Sequence, residues 1–168
     1  DKIAKHLSKY ENKSFDIRSF SPTGGSDERQ YCSPGFNMPV IQAAKTIYEE
    51  YPEYHTSLDS KKFMKIDSVE KSASAIIFYL QIVELMTKNL KGKVQNCEPH
   101  LSKKNLYPFI NTSDTRKLSN NKKQLNMILS VLSLSDGNRD IIDIANFLKI
   151  SVKNLIPIIT LLKKKNLL

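Results

Sequence analysis

The stretch from residue 122 to residue 168 constrains the fold most, because its apolar residues recur at helical spacing in three consecutive runs. These positions are Leu125, Ile128, Leu129 and Leu132, then Ile141, Ile142, Ile144, Ala145 and Leu148, and finally Leu155, Ile156, Ile158, Ile159, Leu161 and Leu162. Three short helices with a tight joint between the second and the third form a helix-turn-helix arrangement. The sequence therefore predicts a small all-α domain over residues 122–168.

Residue types near the ends of these helices indicate where the helices begin and end. The run Ser135-Asp136-Gly137-Asn138 is typical of a turn. Asp140 is placed to cap the second helix and Ser151 to cap the third, since their side-chain oxygens can accept from orphan amides. Pro157 lies inside the third helix, where we expect it to cause a kink or a distorted turn.

Positive charge is concentrated in the same region. The chain has a net charge of +9, and residues 115–168 contain ten basic and three acidic side chains. A basic segment is typical of a protein with a polyanionic partner, or of a lysine-rich solvated surface. The third helix is mostly apolar and leaves few polar side chains for base edges, while Lys163, Lys164 and Lys165 are able to touch phosphate without reading sequence. We therefore expect a packing or interaction domain rather than a nucleic-acid reader.

Residues 1–92 carry a mixed pattern. Phe15–Phe20 alternates apolar and polar residues, and Met38–Ile41 is a short apolar run, so both predict strands. Asp67 and Glu70 have capping-box spacing and open a predicted helix to about Leu90. The residues assigned to its inner face are Ile76, Ile77, Leu80, Val83 and Met86. This order predicts an α/β layered unit, followed by an extended linker over residues 93–121.

Two segments carry residue types suited to a functional site. Residues 21–35 contain three glycines and two prolines, which predicts a long irregular loop bearing Asp27 and Glu28. His55 lies in a turn rich in hydroxyl groups, four residues before Asp59. A neutral imidazole binds zinc, and a nearby carboxylate such as that of Asp59 can fix the second ring nitrogen or order the turn. By residue type alone, a surface histidine in a turn rich in serine and threonine is the favoured interpretation of His55.

The motifs in these segments resemble a known family. The run Gly25-Ser26-Asp27-Glu28-Arg29-Gln30-Tyr31-Cys32-Ser33-Pro34-Gly35, the segment 37–42 and Tyr54-His55-Thr56-Ser57-Leu58-Asp59 resemble the end of a zinc-dependent exopeptidase domain. Together with Cys97-Glu98-Pro99-His100-Leu101 and Asn105-Leu106-Tyr107-Pro108, they resemble bacterial aminopeptidase-like proteins that carry a C-terminal winged-helix domain and are often associated with polysaccharide-biosynthesis loci.

The resemblance implies a fold and an activity. The fold is the C-terminal part of a zinc-exopeptidase-like α/β/α core, followed by a small winged-helix-like domain. In the complete protein, a metal-bound water would hydrolyse a peptide or amide bond in a small peptide-like substrate. A zinc hydrolase needs three protein ligands and a general base, and only one ligand is matched in this chain. We therefore expect the chain alone to be inactive, and a non-catalytic interaction or scaffold module or a nucleic-acid-binding regulator remain as alternatives.

The resemblance also assigns residues. It makes His55 a ligand of the zinc held by the complete protein, with Asp59 as its supporting carboxylate. It places Asp27, Glu28, Arg29 and Tyr31 in the wall of the substrate pocket. No residue of this chain is assigned a catalytic role, and the chain alone is expected to hold no zinc. The two other histidines do not fit the pattern: we expect His6 to be solvated on a terminal helix and His100 to be a surface packing residue.

The remaining expectations concern the chain's surroundings. Cys32 and Cys97 are expected to be free thiols of a cytoplasmic protein, with a disulfide between them as the alternative. No apolar run reaches the roughly 18 residues of a membrane helix, so no membrane partner is expected. Because the chain opens on Asp1 rather than methionine, we expect a piece of a longer protein that pairs with an upstream segment or forms a homo-oligomer.

Overall fold

The computed structural model describes residues 1–11, 16–107 and 115–168, with only the helical backbone for residues 115–119. The helices are α1 (Lys2–Tyr10), α2 (Glu28–Tyr31), α3 (Ile66–Leu85), α4 (Thr115–Leu134), α5 (Ile141–Leu148) and α6 (Val152–Lys164), with a 3-10 helix at Leu101–Lys104. The described residues contain no β-strand; a single isolated antiparallel bridge joins Lys91 and Asp136. Within the same ranges, no helix is both long and apolar enough to cross a membrane.

The chain forms two compact units. The first, called here the loop unit, comprises Asp16–Ile82. The second, called here the helical unit, comprises α1 together with Val83–Leu168. The first helix of the chain therefore belongs to the same unit as its C-terminal half, although some seventy residues of sequence separate them. The domain limits predicted at residues 92 and 121 stay predictions.

The predicted α/β core is wrong for this chain. Residues 16–20 and Met38–Ile41 belong to no strand or helix; the first predicted strand begins at Phe15, which lies outside the described residues. The amide of Met38 donates to the Tyr31 carbonyl at 2.9 Å, which is a loop contact rather than a ladder bond. Alternation predicts which side chains share a face, but a strand also needs partner strands, and these segments find none. Their apolar side chains accordingly stay about half exposed, for example 52% for Phe20 and 49% for Met38.

Helix α3 is confirmed as an element, although its predicted inner face is not. It begins at Ile66, so Asp67 lies in its first turn rather than before it. Four of the five residues assigned to the inner face are at least 40% exposed, including Ile77 and Leu80 at 57% and 58%. Ile82 is the buried residue of this helix. The apolar pattern of α3 thus predicts a helix correctly. Its apolar face, however, is not covered by the described residues of the loop unit.

The helical unit has a well-formed core. Helix α5 packs on both α1 and α6, and α4 packs on α6. The buried apolar residues are Ile3 and Leu7 of α1, Ile128 and Val131 of α4, Ile141, Ile142, Ile144 and Ala145 of α5, and Val152, Leu155, Ile158, Ile159 and Leu162 of α6. The three predicted C-terminal helices are therefore confirmed, because the apolar positions at three- and four-residue spacing in each run face one another.

The predicted caps of α5 and α6 are also confirmed. The Asp140 carboxylate accepts from the amides of Ile142 and Asp143 at 2.8 and 2.9 Å, and Asp143 accepts in return from the Asp140 amide at 3.2 Å. Ser151 caps α6 by accepting from the Lys153 amide at 3.0 Å. These reciprocal bonds satisfy donors that have no partner inside a helix. Helix α6 runs through Pro157 without interruption.

Residues 90–93 are joined to the helical unit by backbone bonds. The Leu90 amide donates to the Arg139 carbonyl at 2.8 Å, and the Gly92 amide donates to the Ser135 carbonyl at 2.9 Å. The Lys93 amide reaches the Leu167 carbonyl, also at 2.9 Å. This short ladder fastens the chain to the turn between α4 and α5. The stretch predicted to be a linker also contributes Leu101, which is fully buried.

Candidate functional site

The acidic loop is shaped by a glycine. Gly25 has a φ of +99°, a left-handed conformation that side chains other than glycine rarely adopt. The carboxylate of Glu28, the first residue of α2, folds back so closely that any side chain at Gly25 would collide with it. The loop therefore needs glycine at this position for its backbone angle, and a side chain there would in addition displace the Glu28 carboxylate.

An aromatic cluster occupies the second part of the loop unit. The rings of Tyr48 and Tyr54 lie 5.8 Å apart, and Tyr51 meets Tyr54 edge-on at the same distance. Phe63 stacks on Tyr51 with 5.5 Å between ring centroids. Such offset and edge-on pairs stabilise a region that has few buried aliphatic side chains.

Tyr48 connects the aromatic cluster to the acidic loop. Its hydroxyl lies 3.6 Å from the position that a Cβ atom at residue 25 would occupy. Partial burial raises the pKa of Tyr48, and the negative charges of Glu28 and Glu49 raise it further, whereas Arg29 acts in the opposite direction. The structure therefore brings Glu28 and Arg29, two of the predicted pocket residues, to the edge of the aromatic cluster.

His55 also contacts Tyr54. Its ring stacks on that tyrosine at 4.0 Å with only 14° between the planes, and its backbone has a left-handed φ of 54°. The side chain is exposed. His55 thus belongs to one contiguous surface with Tyr54, Tyr48 and Glu28, which is called here the aromatic-acidic surface.

The turn around His55 is ordered by a threonine. The Thr56 hydroxyl donates to the Glu53 carbonyl at 2.9 Å and accepts from the Leu58 amide at 3.2 Å. Asp59 is exposed, and its side chain forms no hydrogen bond with His55 within the described residues. The supporting role predicted for Asp59 stays a prediction.

The other predicted pocket residues lie on the surface of the loop. Asp27 precedes α2 without capping it, and Arg29 donates from Nε to the Ser26 carbonyl at 3.3 Å. Tyr31 is 51% exposed. Their assignment to a substrate pocket stays a prediction.

The donor set does not fit a zinc site. Among residues 1–11, 16–107 and 115–168, no group of three histidine, cysteine or carboxylate side chains is placed to hold a metal ion. A zinc centre in an enzyme takes three protein ligands and leaves one position for water. His55 would supply one imidazole, so these residues do not form a complete centre.

His6 is the histidine that the sequence interpretation missed. It is 2% exposed, which overturns the expectation that it is solvated. The amide of Val152 donates to its Nε2 at 2.9 Å, so the ring proton lies on Nδ1, which contacts Asn146 Oδ1 at 2.8 Å. Its position on the apolar stripe of α1, between Ile3 and Leu7, was the available signal.

His100 is exposed, as expected of a surface residue. It lines a shallow depression in the helical unit with Glu98, Pro99, Leu101, Ser102 and Tyr107. The Tyr107 hydroxyl donates to Glu98 at 3.3 Å, and the charge of Glu98 raises the pKa of Tyr107. The depression is wide open to solvent and contains a single histidine.

Comparisons with known proteins confirm the resemblance predicted from the motifs. A family model described as a domain of unknown function (DUF4910) matches residues 1–89, and one described as winged helix-turn-helix matches residues 88–168. A Clostridium acetobutylicum protein named as a polysaccharide biosynthesis protein with an aminopeptidase-like domain is 31% identical over 147 residues. That match covers 86% of this chain and 32% of the relative.

A solved structure shows the same fold. The crystal structure of a protein named as a peptidase from Clostridium acetobutylicum matches with a TM-score of 0.72 and 24% identity. It covers 99% of this chain, which in turn covers 35% of the solved one. The chain therefore spans about a third of the length of the two relatives it matches.

Proposed function

Since this chain belongs to the DUF4910 family and continues into a winged helix-turn-helix, we propose that it is a recognition part of an aminopeptidase-like protein and has no peptidase activity alone. The observation that carries the proposal is the aromatic-acidic surface, where the Glu28 carboxylate, Tyr48, Tyr54 and His55 are contiguous. The group proposed to bind there is the amino terminus of a small peptide.

The charges of this surface favour an ammonium group. Glu28 and Glu49 act on Tyr48 and form no ion pair within the described residues, whereas Glu50 is held by Arg18. An ammonium group gains from a charged hydrogen bond to a carboxylate and from the faces of nearby tyrosine rings. The partly exposed ring of Tyr54 and the placed carboxylate of Glu28 offer both.

Hydrolysis belongs to the longer protein in this proposal. The proposal is supported by the donor set: the described part of the chain brings together no group of three histidine, cysteine or carboxylate side chains such as a zinc hydrolase uses. We propose that His55 acts as a metal ligand only where a longer polypeptide brings the other donors to it. No step of a reaction is assigned to residues of this chain.

The binding test uses a dipeptide amide followed by NMR. We expect saturable shifts at Tyr48, Tyr54 and His55, and none with the N-acetylated dipeptide. Glu28→Gln removes the charged acceptor and is expected to weaken binding about 10- to 100-fold, because hydrogen bonds to charged groups are worth about 1.5–3 kcal/mol. Equal binding of the acetylated peptide would show that the amino terminus is not what the surface recognises.

Two glycine variants give a matched control. Gly25 and Gly35 share a φ of +99°, but only a side chain at Gly25 would meet Glu28; nothing lies within 4 Å of one at Gly35. Both alanine variants strain the backbone by about 1–2 kcal/mol, whereas only Gly25→Ala displaces the carboxylate. We expect Gly25→Ala to lose dipeptide binding and Gly35→Ala to keep it.

The activity test uses an aminoacyl p-nitroanilide with added zinc. We expect no turnover above that of the buffer. Turnover by the purified chain that disappears in His55→Ala would refute the proposal that the chain is inactive by itself, independently of the binding result.

A further inference from the structure

Helix α1 closes the end of the helix-turn-helix that a DNA reader would use. In such domains the second helix enters the major groove and its N-terminal residues contact base edges. Here that helix is α6, which begins at Val152. The amide of Val152 donates to the buried ring of His6 at 2.9 Å, so α1 lies against the N-terminal end of α6, while Lys153 and Asn154 of the same turn stay exposed.

Two further contacts hold α1 at the same place. The Ser151 hydroxyl, which caps α6, also donates to the Glu11 carboxylate just after α1. At the other end of α1, Lys2 reaches Asp140 and Asp143, each at 2.6 Å. These two carboxylates form the capping box of α5. The N-termini of α5 and α6 are thus both in contact with α1 or with Glu11, the residue just after it.

The contact between α1 and the motif has an apolar centre and a polar rim. Ile3 and Leu7 are 6% and 9% exposed, and His6 lies between them. A buried apolar centre surrounded by charged and hydrogen-bonded pairs is how an amphipathic helix binds in a groove. The spacing of Ile3, His6 and Leu7 is that of one helical face.

We infer that the winged helix-turn-helix of this protein is a helix-docking module, whose α5–α6 surface takes the amphipathic segment of α1 in place of duplex DNA. The docking fastens the first residues of the chain to its C-terminal unit. Lys153, Lys163 and Lys164 stay exposed, so a general attraction to phosphate remains, but α1 lies against the N-terminal end of α6 that a DNA reader directs at the bases.

The test measures docking in trans with the full chain. A fluorescent peptide of residues 1–11 is titrated with the wild-type chain and with Leu7→Glu, whose own α1 cannot bury its apolar face. We expect at least about tenfold tighter binding to Leu7→Glu, because the intact chain fills its own surface and lowers the fraction free to bind. A peptide that itself carries Leu7→Glu is expected not to bind.

A second variant keeps the test decisive if Leu7→Glu fails to fold. Lys2→Glu places a third carboxylate beside Asp140 and Asp143 at an exposed position and weakens docking without touching the apolar centre. We expect it to bind the peptide severalfold more tightly than the wild-type chain does. A folded variant that binds no peptide would overturn the inference. Displacement of the peptide from the variant by a random-sequence DNA duplex at physiological salt would overturn it as well.

Discussion

Substitution of His6 should lower the stability of the helical unit more than any other single histidine change. His6→Ala leaves the buried Val152 amide without an acceptor, which costs about 1–3 kcal/mol. The bond to Asn146 is replaced by water, since that residue is exposed, while the lost ring contact with Tyr10 at 4.7 Å adds a packing term. We expect a total of about 2–4 kcal/mol.

The assay is native-state hydrogen exchange read by mass spectrometry on peptides from α1 and α6. It measures the opening free energy of the helical unit separately from that of the loop unit. His6→Gln can keep one donor and one acceptor in place and is expected to cost less than about 1 kcal/mol. His55→Ala is the control, since an exposed residue usually changes stability by less than about 0.5 kcal/mol.

The reasoning about His6 fails if His6→Ala and His55→Ala open α1 and α6 to the same extent. It also fails if His6→Gln is as costly as His6→Ala, because the cost would then come from shape rather than from the two hydrogen bonds.

The remaining predictions concern charge and association. Burial raises the pKa of Asp143, but the bond and charge of Lys2 together with the bonds from Asp140 outweigh burial and lower the pKa. The contribution to stability is therefore present above about pH 4 and is lost as pH falls further. We expect the difference in urea midpoint between wild type and Lys2→Met to be present at pH 7 and absent at pH 2.5; an equal difference at both would contradict the pairing. The exposed apolar face of α3 is expected to drive self-association, so light scattering should give a mass above 19.2 kDa that falls towards it in Leu80→Glu but not in Lys71→Glu. A clean monomer at high concentration would count against that role of α3.

Sequence reasoning succeeded where local signals and packing agree. The helices of the C-terminal region, the caps at Asp140 and Ser151 and the turn at Gly137 all follow from residues within a few positions of one another. Each of these features is satisfied inside the helical unit. Their prediction therefore needed no knowledge of distant contacts.

Sequence reasoning failed where a segment depends on contacts with residues distant in the sequence. The alternation that ends at Phe20 and the short apolar run that begins at Met38 both indicate strands, yet no neighbouring strand pairs with either in the described part of the chain. The apolar face of α3 is real, but the loop unit has nothing to cover it. In the same way, nothing near His6 in the sequence indicates that Val152 and Asn146 will surround it.

The candidate site was predicted in part. The loop glycines and the turn around His55 indicated which segments carry functional residue types, and the structure joins them through Tyr48 and Tyr54. Those two tyrosines were missed, because a tyrosine-rich segment is typical of packing as much as of binding. The zinc role of His55 rests on the resemblance and stays a prediction.

The most direct test of the account is the NMR spectrum of the histidine ring nitrogens, recorded with and without one equivalent of zinc. The account predicts that His6 keeps its proton on Nδ1 and does not respond. It also predicts that His55 shows no stoichiometric binding, because no group of three metal-binding side chains forms in the described part of the chain. Tight one-to-one zinc binding at His55 that disappears in His55→Ala would contradict it.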